Sequence, residues 1–101
     1  MHHTRNRQAF GSTLADKPLM QNVLADLAME SEAATVTAMR LAAAVDAGES
    51  DLLRAAVPMA KFWICKRVAP VVAEAIECLG GNGYVEDHGL ARLYRDAPLA
   101  S

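Results

Sequence analysis

The sequence predicts an all-α fold, an up-and-down helical bundle in one small domain. Apolar residues make up 52% of the 101 residues and aromatic residues only 5%, which favours closely packed helices over a sheet. Two long stretches repeat apolar or small residues at alternating steps of three and four, the spacing of helices that pack along a seam. Short turn sequences separate these stretches, as they do in antiparallel bundles.

Residues 2–9 are predicted to be the end of a helix, because turn formers and a Gly follow at residues 10–13. Asp16 is a candidate N-cap, with Pro18 in the first turn of a helix that we expect over residues 17–47. The predicted seam of this helix consists of Met20, Leu24, Leu27, Ser31, Ala34, Ala38, Leu41 and Val45.

A second long helix is predicted over residues 51–79, after a turn in which Gly48 ends one helix and Ser50 caps the next. Pro58 and Pro70 interrupt the pattern, so we expect a bend at one or both, or a helix that begins only at Pro58. The predicted apolar face consists of Leu53, Val57, Ala60, Ile64, Val68, Val71, Val72, Ala75, Ile76 and Leu79.

The glycines of residues 80–83 are expected to stop this helix, since each Gly costs about 1 kcal/mol in a helix interior. Asp87 or His88 would cap a final short helix that carries Leu90, Leu93 and Tyr94 and is halted by Pro98. The chain is expected to start inside a helix, which gives three and a fraction helices. Residues 1–101 are therefore predicted to be a single partial domain, an incomplete four-helix bundle with uncovered apolar surface.

The charge pattern indicates neither a nucleic-acid nor a membrane partner. Ten Lys and Arg against twelve Asp and Glu give a formal charge of −2, and no apolar run approaches the roughly 20 residues that span a bilayer. Cys65 and Cys78 lie thirteen residues apart in one predicted helix, roughly 20 Å along its axis, too far to form a disulfide. With no signal peptide and no metal-ligand spacing, these features predict a cytoplasmic protein without a metal site.

The Gly80-Gly81-Asn82-Gly83 loop follows a helix, whereas the phosphate-binding Gly loops of nucleotide folds follow a strand and open a helix. Two interpretations of the loop remain. It is a Gly-rich helix end and turn, or it lets the backbone lie directly against a flat ligand.

An ordered set of motifs resembles the acyl-CoA dehydrogenase family over nearly the whole chain. These motifs are Arg7-Gln8-Ala9-Phe10-Gly11, residues 24–28, Ala60-Lys61, the loop of residues 80–84, and residues 92–97. Residues 18–21, 60–67 and 91–95 resemble specifically the AidB-like branch of the family.

The resemblance implies a C-terminal four-helix bundle and an FAD cofactor bound between the subunits of a homotetramer that oxidises the α,β bond of an acyl-CoA. It implies that Arg7 reaches the pyrophosphate of the neighbouring subunit's FAD and that Phe10 packs near the cofactor. Gly80 and Gly81 match the family's pair of glycines whose backbone runs along the adenosine half of FAD. Glu77 stands where the family usually has a Gln, and is a candidate hydrogen-bond partner of the cofactor.

The resemblance also implies that the catalytic Glu lies beyond Ser101, so no catalytic residue is predicted within the chain, and neither Glu86 nor Asp87 is a substitute. Pro18 replaces a Gln that contacts the flavin in many members. The resemblance places DNA binding by AidB-like proteins mainly beyond this chain. The alternative hypothesis is a stand-alone helical module, without catalysis, that oligomerises through its apolar faces.

Overall fold

A computed structural model, which describes residues 1–100, shows an all-α fold dominated by two long antiparallel helices. The all-α prediction is confirmed. The helices and strands are α1 (His2–Asn6), β1 (Gln8–Ala9), β2 (Ser12–Thr13), α2 (Pro18–Asp46), α3 (Ser50–Leu79) and α4 (Leu90–Asp96). Short 3-10 turns occupy Leu14–Asp16, Gly80–Tyr84, Glu86–His88 and Ala97–Ala100.

A small β-hairpin replaces the end of the helix predicted over residues 2–9. Helix α1 ends at Asn6, and β1 pairs with β2 in antiparallel register, Ala9 opposite Ser12. Phe10 and Gly11, the two residues between the strands, have φ of 54° and 84°, the positive pair that a type I′ hairpin turn requires. Phe-Gly is a weak signal for this turn, because Asn-Gly and Asp-Gly are its usual residues.

The first long helix begins as expected but has a different cap. Lys17 is the N-cap of α2 and Pro18 is the first helical residue. Asp16 is not the cap; its carboxylate accepts a hydrogen bond from Thr13 Oγ1 at 2.6 Å inside the preceding turn. The cap prediction was wrong because Asp16 is the last residue of the Leu14–Asp16 turn, one position before the N-cap of α2.

The predicted seam of α2 is confirmed only in part. Met20, Leu27, Ala34 and Leu41 are partly buried, but three of the four predicted residues between and after them, Ser31, Ala38 and Val45, are exposed. The stripe of reduced exposure is completed instead by Val23, Glu30, Thr37 and Ala44, each one position earlier. This second set is spaced by seven residues and contains two polar side chains, which an apolar pattern cannot identify.

Helix α3 is continuous from Ser50 to Leu79 and includes both prolines. The alternative prediction, a helix that begins only at Pro58, was wrong. Glu49 occupies the N-cap position that was predicted for Ser50. Each proline frees the carbonyl four residues earlier. The residues at those positions, Arg54 and Lys66, are exposed, so water can reach these carbonyls and the helix tolerates the prolines.

The last short helix is capped by a glycine. Gly89, with φ of 72°, is the N-cap of α4, so neither Asp87 nor His88 has that role. A bidentate ion pair joins the Glu86–His88 turn to α4, since Arg95 donates to both carboxylate oxygens of Glu86 at 2.8 and 3.1 Å. Helix α4 ends at Asp96, and the Ala97–Ala100 turn that includes Pro98 packs back against α3.

The buried core lies mainly where the C-terminal half of α3 meets α1, α4 and the glycine loop. Ile76 is 1% exposed and Thr4 is 1% exposed. Gly83 is buried against Ile76, and a Cβ built at Gly83 would lie 2.6 Å from the Ile76 carbonyl oxygen. The loop backbone and the end of α3 therefore approach closely only because residue 83 lacks a side chain.

The two long helices remain largely uncovered away from this core. The Cα radius of gyration is 16.7 Å, against about 13 Å for a compact chain of 100 residues. Met39, Met59 and Phe62 are 63%, 70% and 67% exposed. No helix within residues 1–100 combines the length and hydropathy needed to cross a bilayer.

An ion pair joins the middles of α2 and α3. Arg67 Nε donates to Glu30 Oε2 at 2.6 Å, and a second guanidinium nitrogen of Arg67 donates to the other carboxylate oxygen. The Arg67 guanidinium also lies 5.9 Å from the centroid of the Trp63 ring, within the range of a cation–π contact. The hydrogen bonds from Arg67 lower the pKa of the Glu30 carboxyl below its ordinary value.

Replacing Gly83 with Ala is expected to lower the free energy of unfolding by about 1–3 kcal/mol, because the new methyl group overlaps the Ile76 backbone. The matched control is Gly81→Ala, since a Cβ at Gly81 meets no atom within 4 Å. Urea denaturation followed by circular dichroism measures both. Equal stabilities of the two variants would contradict the close approach.

Replacing Glu30 with Gln is expected to lower the melting temperature at pH 7 modestly. The pKa of Glu30 is lowered in the folded state, so its contribution is present above the ordinary value of 4.5 and is lost as the pH falls through the lower, folded value. The difference in melting temperature should therefore shrink in acid. The control is Glu32→Gln, an exposed residue on the same helix; if it has the same pH dependence, the pairing is not responsible.

Candidate functional site

The three glycines at the end of α3 have different structural roles. Gly80 ends the helix with φ of 60°, a conformation that favours glycine. Gly83 is required by its contact with Ile76. Gly81 has neither a positive φ nor a close neighbour, so nothing within the described chain requires a glycine there.

The glycine loop lines a cleft of about 310 Å³, which we call the Gly-loop cleft. Arg7, Glu77, Gly80 and Gly81 all line it, so the fold brings together four of the five residues predicted to contact the cofactor. The full lining is His3, Arg7, Leu14, Met20, Glu77, Cys78, Leu79, Gly80, Gly81 and Asn82.

Phe10, the fifth predicted residue, lies outside this cleft. It sits at the tip of the hairpin, 93% exposed, and lines a neighbouring cleft of about 340 Å³ together with Lys17, Leu19 and Glu74. We call this second space the hairpin cleft. The two clefts share four lining residues, which are Leu14, Met20, Glu77 and Cys78.

Backbone hydrogen bonds fix Arg7 between α1 and the hairpin. Its N–H donates to the His3 carbonyl at 2.8 Å, and its carbonyl accepts from the Leu14 N–H at 2.9 Å. The Arg7 side chain is exposed, and within residues 1–100 its guanidinium has no hydrogen bond or ion pair. The backbone is held at both ends while the cationic head is available to a ligand.

The electrostatics of the Gly-loop cleft are mixed, because Arg7 supplies a positive charge and Glu77 a negative one. Cys78 lies between the two clefts and is 8% exposed. Burial raises the pKa of the Cys78 thiol, and the charge of Glu74 adds to this effect. The thiol is therefore protonated near neutral pH, which makes it a poor nucleophile.

The arrangement is suited to binding an anionic, partly flat group. A guanidinium faces the same cleft as an exposed stretch of glycine backbone, and no nucleophile paired with a base lines it. Within the described residues, no cluster of three His, Cys, Asp or Glu side chains could hold a metal ion.

His3 and Asn82 line the Gly-loop cleft but were not predicted as site residues. Neither residue was singled out, because His3 lies in the segment predicted to be the end of a helix and Asn82 in the predicted glycine loop. A signal was available for His3, because residues 2–9 were predicted to be helical and residues four apart lie on one face of a helix. Helix α1 ends at Asn6 with Arg7 as its C-cap, and both His3 and Arg7 line the cleft.

The sequence matches a known protein family over its whole length. The family model for the acyl-CoA dehydrogenase C-terminal domain matches residues 1–101. The protein named putative acyl-CoA dehydrogenase AidB of Escherichia coli (strain K12) is 46% identical over 105 residues, covering 100% of this chain and 19% of AidB. The predicted resemblance to the AidB-like branch is confirmed by this match.

Two solved structures have the same fold. The crystal structure of acyl-CoA dehydrogenase from Geobacillus kaustophilus gives a TM-score of 0.88 at 33% identity, covering 98% of this chain and 26% of that one. The structure of Caenorhabditis elegans ACDH-11 in complex with C11-CoA gives 0.79 at 36% identity, covering 97% and 18%. The chain spans between 17% and 26% of the length of the first curated relatives that it matches. From its sequence and its fold, the chain belongs to the acyl-CoA dehydrogenase family and corresponds to that family's C-terminal domain.

Proposed function

We propose that this chain forms part of the C-terminal helical domain of an FAD-dependent, AidB-like acyl-CoA dehydrogenase, and that it contributes cofactor contacts and subunit packing. The observation that carries the proposal is the Gly-loop cleft. It assembles Arg7 from the N-terminal segment with Glu77, Gly80 and Gly81 from the end of α3, although about seventy residues separate them in sequence.

The residues of the cleft fit the phosphate end of a dinucleotide cofactor in most respects. The Arg7 guanidinium offers several donors in a fixed plane, which suits a pyrophosphate. The open space beside Gly81 leaves its backbone accessible to a flat group such as adenosine. Glu77 fits less well near phosphate, and we assign its carboxylate to a hydroxyl or amine donor of the ligand.

The size of the cleft supports a shared site. Pockets that enclose a whole ligand of drug size measure roughly 300–1,000 Å³, so about 310 Å³ is too small for most of an FAD molecule. We propose that Arg7, Gly80 and Gly81 hold its pyrophosphate and adenosine and that Phe10 packs on an adjacent part. FAD, when bound, supplies the acceptor for the hydride removed from the substrate.

The proposed substrate is an acyl-CoA thioester, oxidised between its α and β carbons. The support comes from the relatives, which include Caenorhabditis elegans ACDH-11, solved in complex with C11-CoA. Removal of an α-proton requires a positioned base, and we place that base outside this chain. Residues 1–101 would then be a partial domain that binds FAD weakly and oxidises no acyl-CoA by itself.

Subunit packing is the proposed role of the uncovered faces of α2 and α3. Their exposed methionines and Phe62 form the apolar surface expected of an interface in a homo-oligomer, proposed to be a tetramer in the intact enzyme. The same surface supports the second candidate function, a stand-alone helical interaction module. The intact mass of the native protein separates them, since only the enzyme requires a product far longer than 101 residues.

The proposal includes a cytoplasmic protein that does not bind nucleic acid through this chain. Both cysteines are free in the described residues, which suits a reducing compartment. Of the four basic residues of α3, Arg67 pairs with Glu30, Lys61 donates to the Ala100 carbonyl and Arg54 lies 3.7 Å from Asp51. Within residues 1–100, Lys66 is then the basic residue of α3 that remains available to a phosphate backbone.

Replacing Arg7 with Gln in the intact protein is expected to weaken FAD binding roughly 10- to 100-fold, the effect of losing a charge-assisted hydrogen bond to phosphate. The control is Arg5→Gln, because Arg5 carries the same charge two residues earlier, in α1, but lines a different cleft. Titration of the apoprotein by flavin fluorescence gives both dissociation constants. Equal affinities for the two variants would contradict the assignment of Arg7.

A further inference from the structure

The backbone at Phe10 adopts a conformation that its residue type disfavours. Phe10 is the one residue other than glycine with a positive φ in residues 1–100. Such a conformation is rare for a bulky side chain and is kept only where neighbouring groups hold it. If it served packing within the chain, the ring would be buried. The ring is instead 93% exposed, so the turn presents it outward.

Lys17 is the neighbouring group that holds this turn. Its Nζ donates a hydrogen bond to the Phe10 carbonyl oxygen at 2.8 Å. The Lys17 backbone is itself anchored, since its N–H donates to the Leu14 carbonyl at 3.1 Å and its carbonyl accepts from Gln21 at 2.9 Å. A partly buried side chain therefore connects the start of the long helix α2 to the tip of the hairpin.

We propose that Lys17 is a positioning residue, which keeps Phe10 in the left-handed conformation so that the ring meets the cofactor. The inference rests on the proposed role of Phe10 as an FAD contact. A donor with a formal charge makes a stronger hydrogen bond to a carbonyl than a neutral one, so this bond favours the strained peptide orientation over its relaxed alternatives.

Arg7 is held at the opposite end of the hairpin, without Lys17. The base of the hairpin is closed by the Leu14 N–H to Arg7 carbonyl bond, and the Arg7 N–H donates to the His3 carbonyl. Lys17 bonds only the tip that carries the Phe10 ring. Lys17 also lines the hairpin cleft, as do Glu74 and Glu77.

The first test needs no cofactor. Trifluoromethylphenylalanine is placed at position 10 of the intact protein or, in a second sample, at position 62, and fluorine NMR is recorded. Lys17→Met should shift and narrow the position-10 signal, because the ring becomes more mobile, while the position-62 signal stays unchanged. Lys17→Arg should restore the original signal, since a guanidinium can also donate to the carbonyl. Lys66→Met, which removes an exposed lysine elsewhere, should have no effect.

The second test measures FAD affinity by fluorescence titration of the apoprotein. Lys17→Met should weaken binding roughly three- to tenfold, the range for loss of one hydrogen bond. Combined with Phe10→Ala, it should add nothing to the loss caused by Phe10→Ala alone, because both changes act through the same ring. Circular dichroism confirms that each variant retains its helical content, and Lys17→Gln replaces Lys17→Met if that variant unfolds.

The two tests separate the positioning role from the cofactor role. An unchanged position-10 signal in the folded Lys17→Met protein overturns the proposal, whatever the FAD affinity. A changed signal with no effect of Phe10→Ala on FAD binding shows that Lys17 positions the ring but that Phe10 contacts something other than FAD. Losses that add fully in the double variant also overturn the proposal.

Discussion

The contact between the Gly83 backbone and Ile76 is the constraint on which the rest of the site depends. It folds the chain sharply back at the end of α3, so that the loop lies on the most buried large side chain of the described structure. Because Gly83 accommodates this contact, the loop edge at Gly80 and Gly81 faces outward into the cleft. The adjacent N-terminal segment then completes the Gly-loop cleft with Arg7, while Phe10 lines the neighbouring hairpin cleft.

The distribution of burial explains how a small chain can be well formed at one end and open along its length. The core is concentrated near the C-terminal end of α3, whereas α2 contacts mainly α3 and the Leu14–Asp16 turn within residues 1–100. A pair of helices buries a single stripe on each member. The remaining apolar side chains stay exposed, as expected when other helices or subunits cover them.

Polar groups take positions in this fold that an apolar core would normally fill. Glu30 occupies a seam position of α2 and is held there by Arg67, which also lies near Trp63. A bidentate pair has a defined geometry, so it favours one relative register of the two long helices. Lys17 acts similarly at the hairpin, where a side chain to backbone bond determines the direction of an aromatic ring.

The sequence by itself determined the helical class, both long helices to within one residue at each end, the end of α3 at the glycines, and the family. These features follow from local propensity, apolar periodicity and motifs, which depend only on residues close together in the sequence. The resemblance also predicted Arg7, Glu77, Gly80 and Gly81 as cofactor contacts, and the fold brings these four residues to one cleft. The proximity of these residues in space could not be predicted from local patterns, because it depends on how segments distant in sequence fold together.

Only the tertiary structure decided which residues of α2 face α3 and which residue caps α4. It also decided the type I′ turn at Phe10 and the different structural roles of the three glycines after α3. Each depends on contacts between segments. Glu30 takes its place in the stripe because Arg67 on α3 pairs with it, and Thr37 because its hydroxyl donates to the Ala33 carbonyl within α2. Phe10 adopts a positive φ because Lys17 reaches it from seven residues away. Local patterns record what a residue prefers, and the folded structure determines which preferences are overridden by neighbours.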